Sequence, residues 1–425
     1  MNTFSEDYAL HMDRLDPLKD MREYFFIDDE KLVYLDGNSL GRLPNQAALS
    51  VSNAVEQQWG KRLIRSWNEG WYDQSERLGN MIAPIAGASE GEIIISDSTS
   101  INLYKLAYAA LKLQAGRTKI ISDELNFPSD LYILQGLLKQ FGPEYELEIL
   151  RSSDGMTIDP AALAERVDSN TALVSLSHVV FKSAFRYPMK GVTDLVHAKG
   201  ALMLWDLSHS IGAVPGELNS ANADLAVGCT YKYLNGGPGS PAFLYVRKDL
   251  QEKLESPVWG WFGEKAPFEF GLAYRPASGI KKFLTGTPPV LSMTPLENSL
   301  QLVHQAGMEE IRKKSIQQSE YLIDLAATKL FPLGFALGSP QESERRGSHI
   351  TLKHPEAYRI CKALIDPMAG GFSVIPDFRM PDNIRLGISP LYTSFHDIYR
   401  SIIQLKNIVE ENIFKNYSFD REEVT

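Results

Sequence analysis

The chain has 425 residues, of which 44% are hydrophobic and 23% charged, which is ordinary for a globular protein of two or three domains. A formal net charge of −10 without a basic stripe argues against a nucleic-acid partner. Two cysteines are too few for a disulfide framework, and no apolar run approaches the ~18 residues of a membrane span. With a charged N-terminus that lacks a signal peptide pattern, we expect a cytoplasmic protein.

From about residue 90, short apolar runs alternate with helical patterns. The predicted strands cover residues 92–96, 118–122, 147–150, 171–177, 201–206, 225–230 and 242–246. The predicted helices between them cover residues 101–114, 130–141, 160–167 and 191–200. Nearly continuous runs of Ile, Val and Leu indicate strands that are buried on both faces, and the alternation with helices predicts a mostly parallel sheet.

Residues 296–330 carry one long helical pattern that ends at "FPLG". We expect this helix to connect the sheet to a second region of mixed strands and helices. The predicted fold is therefore α/β, with a large domain built on a mostly parallel sheet flanked by helices and a smaller α+β domain. Its predicted parts are an N-terminal segment of the small domain (1–60), the large cofactor-binding domain (61–295), and the connecting helix with the C-terminal small domain (296–425).

Polar segments follow five of the predicted strands, at the point where each strand ends. Ligands of open α/β sheets bind at the carboxyl ends of the strands, so these segments are the first place to look for a site. Five such polar segments in series predict a ligand-binding site. They are "SDSTSIN" (96–102), "ELNFPSD" (124–130), "SHVVFKS" (177–183), "DLSHSIG" (206–212) and "TYKYLNGG" (230–237).

Three of these segments carry residues with distinctive chemistry. The small hydroxyl residues of "SDSTS" open a helix, whose free amides can bind an anion, although simple helix capping also explains them. Asp206 ends a strongly apolar strand, where a carboxylate needs a cationic partner or good hydrogen bonds. Lys232 also follows an apolar strand, and a lysine amine with little water around it can form a Schiff base with a carbonyl. Taken alone, Asp206 could cap a turn and Lys232 could be a surface residue.

Together the three features match the needs of pyridoxal 5′-phosphate. This cofactor requires an anion cradle, an acidic partner for its pyridinium nitrogen and a lysine for its aldehyde. We therefore predict that Lys232 is condensed with the cofactor and that Tyr231 reaches its phosphate or another of its oxygens. No cluster of His and Cys has metal-ligand spacing, so no metal site is predicted.

Motifs along nearly the whole chain resemble the kynureninases, a family of pyridoxal-phosphate hydrolases with the type I, aminotransferase-like fold. As a set the motifs are highly specific. They are "YLDGNSLGRLP" (34–44), "DSTSINLYK" (97–105), "NFPSD" (126–130), "DLSHSIGAVP" (206–215), "CTYKYLNGGPG" (229–239), "GWFG" (260–263), "GTPP" (286–289) and "IRLGISPLYTSFHDIY" (384–399).

The resemblance implies a role for individual residues. Lys232, Asp206 and Tyr231 would be the catalytic groups, and Arg385 would grip the substrate α-carboxylate, which suits the bidentate fork of an arginine. The implied cofactor contacts are Thr99, Ser100, Phe127, Pro128, Ser129, Asp130, Ser177, Asp206, His209, Tyr231, Lys232, Trp261 and Thr287. In similar dimeric enzymes, the contacts that match Trp261 and Thr287 come from the neighbouring subunit, so a homodimer with shared sites is expected.

The implied reaction is hydrolysis of L-kynurenine to anthranilate and L-alanine by cleavage of the Cβ–Cγ bond, in tryptophan catabolism or NAD biosynthesis. Trp67, Gly286 and Thr287 match the positions around the substrate ring and offer it few polar groups. A 3-hydroxyl group bound there would lose water contacts without assured replacements. We therefore expect a preference for L-kynurenine over 3-hydroxykynurenine.

The residues by themselves predict only pyridoxal chemistry on an amino acid, so two related functions stay open. One is an aminotransferase of the same fold, and the other is a cysteine desulfurase. A desulfurase needs a reactive cysteine on a mobile loop. Cys361 lies in a helical pattern and Cys229 directly follows a buried strand, so neither cysteine fits that role.

Overall fold

The computed structural model describes residues 2–369 and 371–420. The strands are β1 (Leu32–Tyr34), β2 (Ile93–Ile95), β3 (Lys119–Asp123), β4 (Glu146–Leu150), β5 (Thr171–Ser177), β6 (Leu202–Asp206), β7 (Leu225–Gly228), β8 (Phe243–Val246), β9 (Ala336–Leu337), β10 (His349–Lys353), β11 (Ser373–Ile375), β12 (Asp377–Arg379) and β13 (Asn383–Gly387). The helices are α1 (Glu6–Leu15), α2 (Asn45–Asn53), α3 (Gln74–Ala86), α4 (Thr99–Leu113), α5 (Pro128–Phe141), α6 (Pro160–Arg166), α7 (Met189–His197), α8 (Val290–Ala306), α9 (Met308–Lys329), α10 (Ala357–Ile365) and α11 (Phe395–Glu410).

A seven-stranded sheet forms the centre of the larger part, with strand order β2-β8-β7-β6-β5-β3-β4. Strands β3 to β7 run parallel, and β8 is antiparallel to both of its neighbours, β7 and β2. Alternate residues of the buried strands join two hydrophobic cores, one on each face, so the helices cover both sides. The predicted α/β fold with a mostly parallel sheet is confirmed, and the parallel strands end along one edge.

The C-terminal part is built on a four-stranded antiparallel sheet of order β12-β13-β10-β9. Helices α9, α10 and α11 contribute buried side chains to the hydrophobic core that this sheet shares. Strand β1 pairs in parallel with β11, which brings the N-terminal segment to this part of the fold. Among the described residues, no helix combines the length and apolar character that crossing a membrane requires.

The prediction of one continuous helix over residues 296–330 is wrong. Two helices, α8 and α9, occupy this region, and the first of them already begins at Val290. Gly307 separates them with a φ of 74°, a left-handed conformation that is costly for residues with a side chain. A glycine directly after a helix is a common stop signal, and here it redirects the chain before α9 begins.

A buried ion pair fixes the start of α4, which opens at the carboxyl end of β2. The Nζ atom of Lys105, whose side chain is fully buried, lies 2.7 Å from Asp97 Oδ2 and also donates to the carbonyl of Phe283 at 2.7 Å. Thr285 Oγ1 donates to the other carboxylate oxygen of Asp97 at 2.9 Å. Burial lowers the pKa of Lys105, and the charge of Asp97 opposes this effect. The pair thus joins α4 to the segment that precedes α8.

Replacing Lys105 with methionine keeps the volume but leaves the Asp97 carboxylate without its cation. Because removing one partner of a buried pair leaves the other charge buried without a partner, we expect Lys105→Met to lower the free energy of unfolding by about 3 kcal/mol. Urea denaturation of the purified protein measures this change. The double variant with Asp97→Asn should recover much of the loss. A single variant as stable as the wild type would show that the pair does not hold α4 in place.

Candidate active site

A cavity of about 590 Å³ lies at the carboxyl edge of the central sheet. Segments that follow β2, β3, β6 and β7 all contribute to its wall, together with the N-terminal segment and two arginines of the C-terminal part. The lining residues are Asn38, Ser39, Asp97, Ser98, Thr99, Ser100, Phe127, Ser129, Asp130, Asp206, Ser208, His209, Cys229, Tyr231, Lys232, Gly239, Ser240, Pro241, Ala242, Pro289, Ser292, Arg379 and Arg385.

One end of the cavity is suited to an anion. Thr99 and Ser100 are the first two residues of α4, where backbone amides have no acceptor within the helix and the helix dipole is positive. The Ser100 hydroxyl lies 3.0 Å from the hydroxyl of Ser129, which stands in the first turn of α5. Two helix N-termini and their hydroxyl groups therefore meet at the same place, as the sequence pattern predicts for a phosphate cradle.

Two carboxylates lie in the floor of the cavity, one at the end of β6 and one in the first turn of α5. Asp206 Oδ1 accepts hydrogen bonds from the amide and the hydroxyl of Ser208, at 2.9 and 2.6 Å. Asp130 is also buried, and its Oδ2 atom has no hydrogen-bond partner among the described residues. Burial raises the pKa of both groups, and the charge of Asp206 raises that of Asp130 further. A cationic group beside these carboxylates would relieve both effects.

Lys232 stands in the bend after β7 and points its amine into the cavity. Its Nζ atom lies 2.8 Å from His209 Nε2 and 5.9 Å from the ring centroids of both Phe127 and Tyr231. Burial, and then the charge of Lys232, holds the pKa of His209 well below its usual range, so this imidazole is neutral. Its Nδ1 has no partner among the described residues. The neighbouring Cys229 thiol, and then burial, raises the pKa of Tyr231, which keeps the phenol protonated.

Arg385 closes the other end of the cavity from strand β13. Its side chain is buried, and its Nη1 atom donates to the carbonyl of Phe181 at 2.6 Å. The contacts predicted from the sequence do not include several further lining residues, among them Asn38, Ser39 and Arg379. Asn38 and Ser39 lie in the "YLDGNSLG" motif, which carries the family resemblance but no predicted role. Arg379 is close to Arg385 in sequence, in "DFRMPDNIR", and that proximity was the available signal.

Six of the residues predicted for the site do not line this cavity. Pro128 begins α5, and Ser177 donates to Asn126 Oδ1 at 2.6 Å beside Asp206 in the sheet. The others lie at the surface around Phe262, whose ring is 5.7 Å from that of Trp67 and 5.2 Å from that of Trp261. Gly286 and Thr287 are exposed, just beyond Thr285, whose carbonyl accepts from the Phe262 amide. A single chain thus brings Trp67, Trp261, Gly286 and Thr287 to the surroundings of Phe262, and none of the four is among the residues that line the cavity.

The cavity offers an anion site at one end, unpaired carboxylate charge in the floor and an amine beside an aromatic ring. Pyridoxal phosphate has matching groups: a phosphate, a basic ring nitrogen and an aldehyde. The unpartnered Asp130 Oδ2 is the clearest sign that a cationic ring nitrogen fits, because a buried carboxylate oxygen without a donor is otherwise costly. Among the described residues, no group of His, Cys, Asp and Glu is arranged to hold a metal ion.

Solved structures of pyridoxal enzymes share this fold. The chain superimposes on the apo cysteine desulfurase from Thermococcus onnurineus NA1 with a TM-score of 0.78 at 15% sequence identity, covering 92% of this chain and 98% of that one. It superimposes on a C-DES mutant with glycine covalently linked to the pyridoxal phosphate cofactor with a TM-score of 0.75 at 17% identity, covering 88% and 96% of the two chains. These similarities confirm the type I fold.

Sequence relatives are closer. The chain is 43% identical to the kynureninase of Burkholderia pseudomallei strain K96243 over 98% of both chains. It is 40% identical to the kynureninase of Pseudomonas fluorescens over 97% of both chains. Residues 311–405 match the model of the kynureninase C-terminal domain. The resemblance found in the sequence motifs is therefore confirmed: the chain belongs to the kynureninase family.

Proposed function

We propose that this chain uses pyridoxal phosphate to hydrolyse L-kynurenine to anthranilate and L-alanine. The observation that carries the proposal is the 43% identity to a kynureninase over 98% of both chains. The geometry supports it, because Lys232, Asp206 and Arg385 line one cavity. They stand where an amino acid could be held by its carboxylate at one end and meet the cofactor at the other.

The residues of the cavity suggest how the cofactor is held. Thr99, Ser100 and Ser129 would bind the phosphate, and Asp206 with Asp130 would bind the protonated ring nitrogen. Phe127, at the N-cap of α5, would cover the face of the ring. When bound, pyridoxal phosphate withdraws electrons from the Cα atom of the amino acid and so makes the bonds around it easier to break.

The chain's own groups would then control protons and orientation. Lys232, freed when the substrate amine takes its place, has an amine that can accept the α-proton, and the neutral His209 beside it can hold that amine in position. Tyr231, protonated, can donate a hydrogen bond to a phosphate or substrate oxygen. Arg385 would bind the α-carboxylate. One water molecule is consumed: it adds to the γ-carbonyl, the Cβ–Cγ bond breaks, and anthranilate leaves before L-alanine is released.

We further propose that the working enzyme is a homodimer with shared sites. Several large apolar side chains are exposed close to Trp261, among them Trp259, Phe268 and Phe270, with 66%, 61% and 73% of their surfaces accessible. Contiguous apolar surface of this kind is typical of an interface. A second copy that covers it would place Trp261 and Thr287, and with them Trp67 and Gly286, at the cavity of the first.

The direct test of the reaction is product analysis with purified, cofactor-loaded protein. L-Kynurenine alone, without a keto-acid acceptor, should yield anthranilate and L-alanine in equal amounts. A requirement for a keto acid would indicate an aminotransferase, and release of sulfide from cysteine would indicate a desulfurase. The structure disfavours the desulfurase, because burial raises the thiol pKa of both Cys229 and Cys361 and so suppresses the thiolate.

Lys232→Ala should fold but no longer hold the cofactor covalently. We expect the visible absorbance of the lysine-bound cofactor to disappear and turnover to fall below detection, because no other described amine lines the cavity. Absorbance spectra and anthranilate fluorescence check the two outcomes. A variant that kept both the band and the activity would exclude Lys232 as the cofactor lysine.

Arg385→Lys keeps the positive charge but loses the planar set of five N–H donors, which lets the guanidinium hold its protein partners and still offer an Nη1 hydrogen to a carboxylate. The KM for L-kynurenine should rise about tenfold, since a charge-assisted hydrogen bond is worth about 1.5 kcal/mol or more. Cofactor affinity, measured by titration of the absorbance band, should not change. If the KM stayed at the wild-type value, Arg385 would have only a structural role.

The substrate ring is expected to meet Trp67 and Gly286 of the partner, which provide an apolar face and no side chain. A 3-hydroxyl group would then lose its hydrogen bonds to water, at a cost of about 1.5 kcal/mol or more. We expect kcat/KM to favour L-kynurenine over 3-hydroxykynurenine by about tenfold. Trp67→His should reduce this ratio. Equal or reversed wild-type preference would contradict the expectation, and an unchanged ratio in the variant would leave Trp67 as a packing residue beside Phe262.

A further inference from the structure

The guanidinium of Arg385 is held on several sides by protein groups. Its Nη2 atom forms an ion pair with Asp377 Oδ2 and donates to Ser39 Oγ at 2.8 Å. With its oxygen facing the arginine, the Asn38 amide accepts from Arg385 Nε at 2.8 Å. These contacts leave little freedom for the guanidinium to rotate.

Asp377 is shared between two arginines. It stands directly opposite Arg385 in the pairing of β12 with β13, and its side chain is only 4% exposed. The oxygen that pairs with Arg385 also lies 3.0 Å from Arg379 Nη2. Arg379 lines the cavity with its side chain 38% exposed, and its buried Nε atom has no hydrogen-bond partner within the described part of the chain. Arg379, Asp377 and Arg385 thus form a triad of side chains, and both of its arginines line the cavity.

The charge of this triad matters for the binding of an anion. An isolated pair of Arg385 and Asp377 would be neutral overall, and its arginine would attract a carboxylate only weakly. Arg379 adds a second positive charge, so the triad carries a net charge of about +1. Burial, and then the charge of Asp377, raises the pKa of a neighbouring acid, Asp36, to about 7, so near neutral pH Asp36 is only partly ionised and does not cancel the positive charge of the triad.

We propose that Asp377 and Arg379 are positioning residues for the recognition of the substrate's α-carboxylate. Asp377 fixes the orientation of the Arg385 guanidinium, and Arg379 shares the negative charge of Asp377, so that Arg385 keeps its attraction for a second carboxylate. The inference rests on the proposed role of Arg385 as the carboxylate-binding arginine. It assigns a function to two side chains that cofactor chemistry alone does not require.

The test compares two ligands that differ only in the α-carboxylate. Kynuramine is the decarboxylated form of L-kynurenine, and its inhibition constant reports every contact except those to the carboxylate. In Arg379→Gln, we expect the KM for L-kynurenine to rise about tenfold, which is the effect of losing one charge-assisted interaction. We expect kcat to change less than about threefold. The inhibition constant of kynuramine and the absorbance band of the bound cofactor should not change. Arg379→Lys, which keeps the charge, should recover part of the loss.

Asp377→Asn should show the same selective rise in KM if it folds, because the guanidinium of Arg385 then loses its fixed partner. Arg359→Gln is the matched control. Arg359 pairs with Glu356 at 3.0 Å in the same part of the fold but does not line the cavity, so its loss should leave both constants unchanged.

Two results would overturn the proposal. In the first, Arg379→Gln leaves the KM for L-kynurenine unchanged. In the second, it weakens the binding of L-kynurenine and of kynuramine equally, as a general structural defect would. Arg385→Lys shows whether only the roles proposed for Arg379 and Asp377 are wrong or whether Arg385 does not bind the carboxylate at all. If Arg385→Lys alters the ratio of the two constants and Arg379→Gln does not, Arg385 binds the carboxylate without help from the triad. If neither variant alters the ratio, the assignment of Arg385 is itself wrong.

Discussion

The burial of opposite charges at one edge of a parallel sheet is the constraint on which the rest of this structure depends. Asp206 lies at the end of β6, Lys232 lies just after β7, and Asp130 lies in the first turn of α5. Water is largely excluded there, so each charge is costly unless it finds a partner. The described residues do not satisfy all of them, because one oxygen of Asp130 has no hydrogen-bond partner among these residues. A cofactor with a cationic ring nitrogen and an aldehyde would complete the set, and in the function proposed above the same residues hold it and react through it.

The N-terminal segment connects the two ends of this site. The Gly41 amide donates to the carbonyl of Tyr231 at 2.8 Å, next to Lys232, while Asn38 contacts the guanidinium of Arg385. Glycines allow this close approach. A Cβ atom on Gly41 would overlap the carbonyl oxygen of Lys232, and one on Gly387 would overlap the Asn38 amide. The lysine proposed to bind the cofactor and the arginine proposed to bind the substrate are therefore held against the same short piece of chain.

Much of the fold could be predicted from the sequence, because buried parallel strands are encoded locally as short runs of Ile, Val and Leu between helical patterns. Asp206 and Lys232 could be predicted for a related reason, since each directly follows such a run and together with the hydroxyl residues at the start of α4 they match the needs of one cofactor. The break at Gly307 was missed because the apolar pattern continues across it. Arg379 and Asn38 were missed because their importance arises from contacts with Arg385, which lies far from Asn38 in sequence. In the proposed homodimer, the positions of Trp67, Trp261 and Thr287 relative to the cavity would depend on a second chain, so neither the sequence nor one chain could fix them.

We propose that the buried charge of Asp206 holds the ring nitrogen of the cofactor in its protonated, electron-withdrawing form. The exchange of the α-hydrogen of L-alanine with deuterium from the solvent isolates this effect, because it requires proton removal at Cα but no cleavage of a carbon–carbon bond. In Asp206→Asn, which keeps the shape of the side chain but not its charge, exchange should be slower by about tenfold to a hundredfold, as expected for the loss of a charge-assisted hydrogen bond. The cofactor should still be attached to Lys232. Exchange at the wild-type rate in a fully loaded variant would contradict the account.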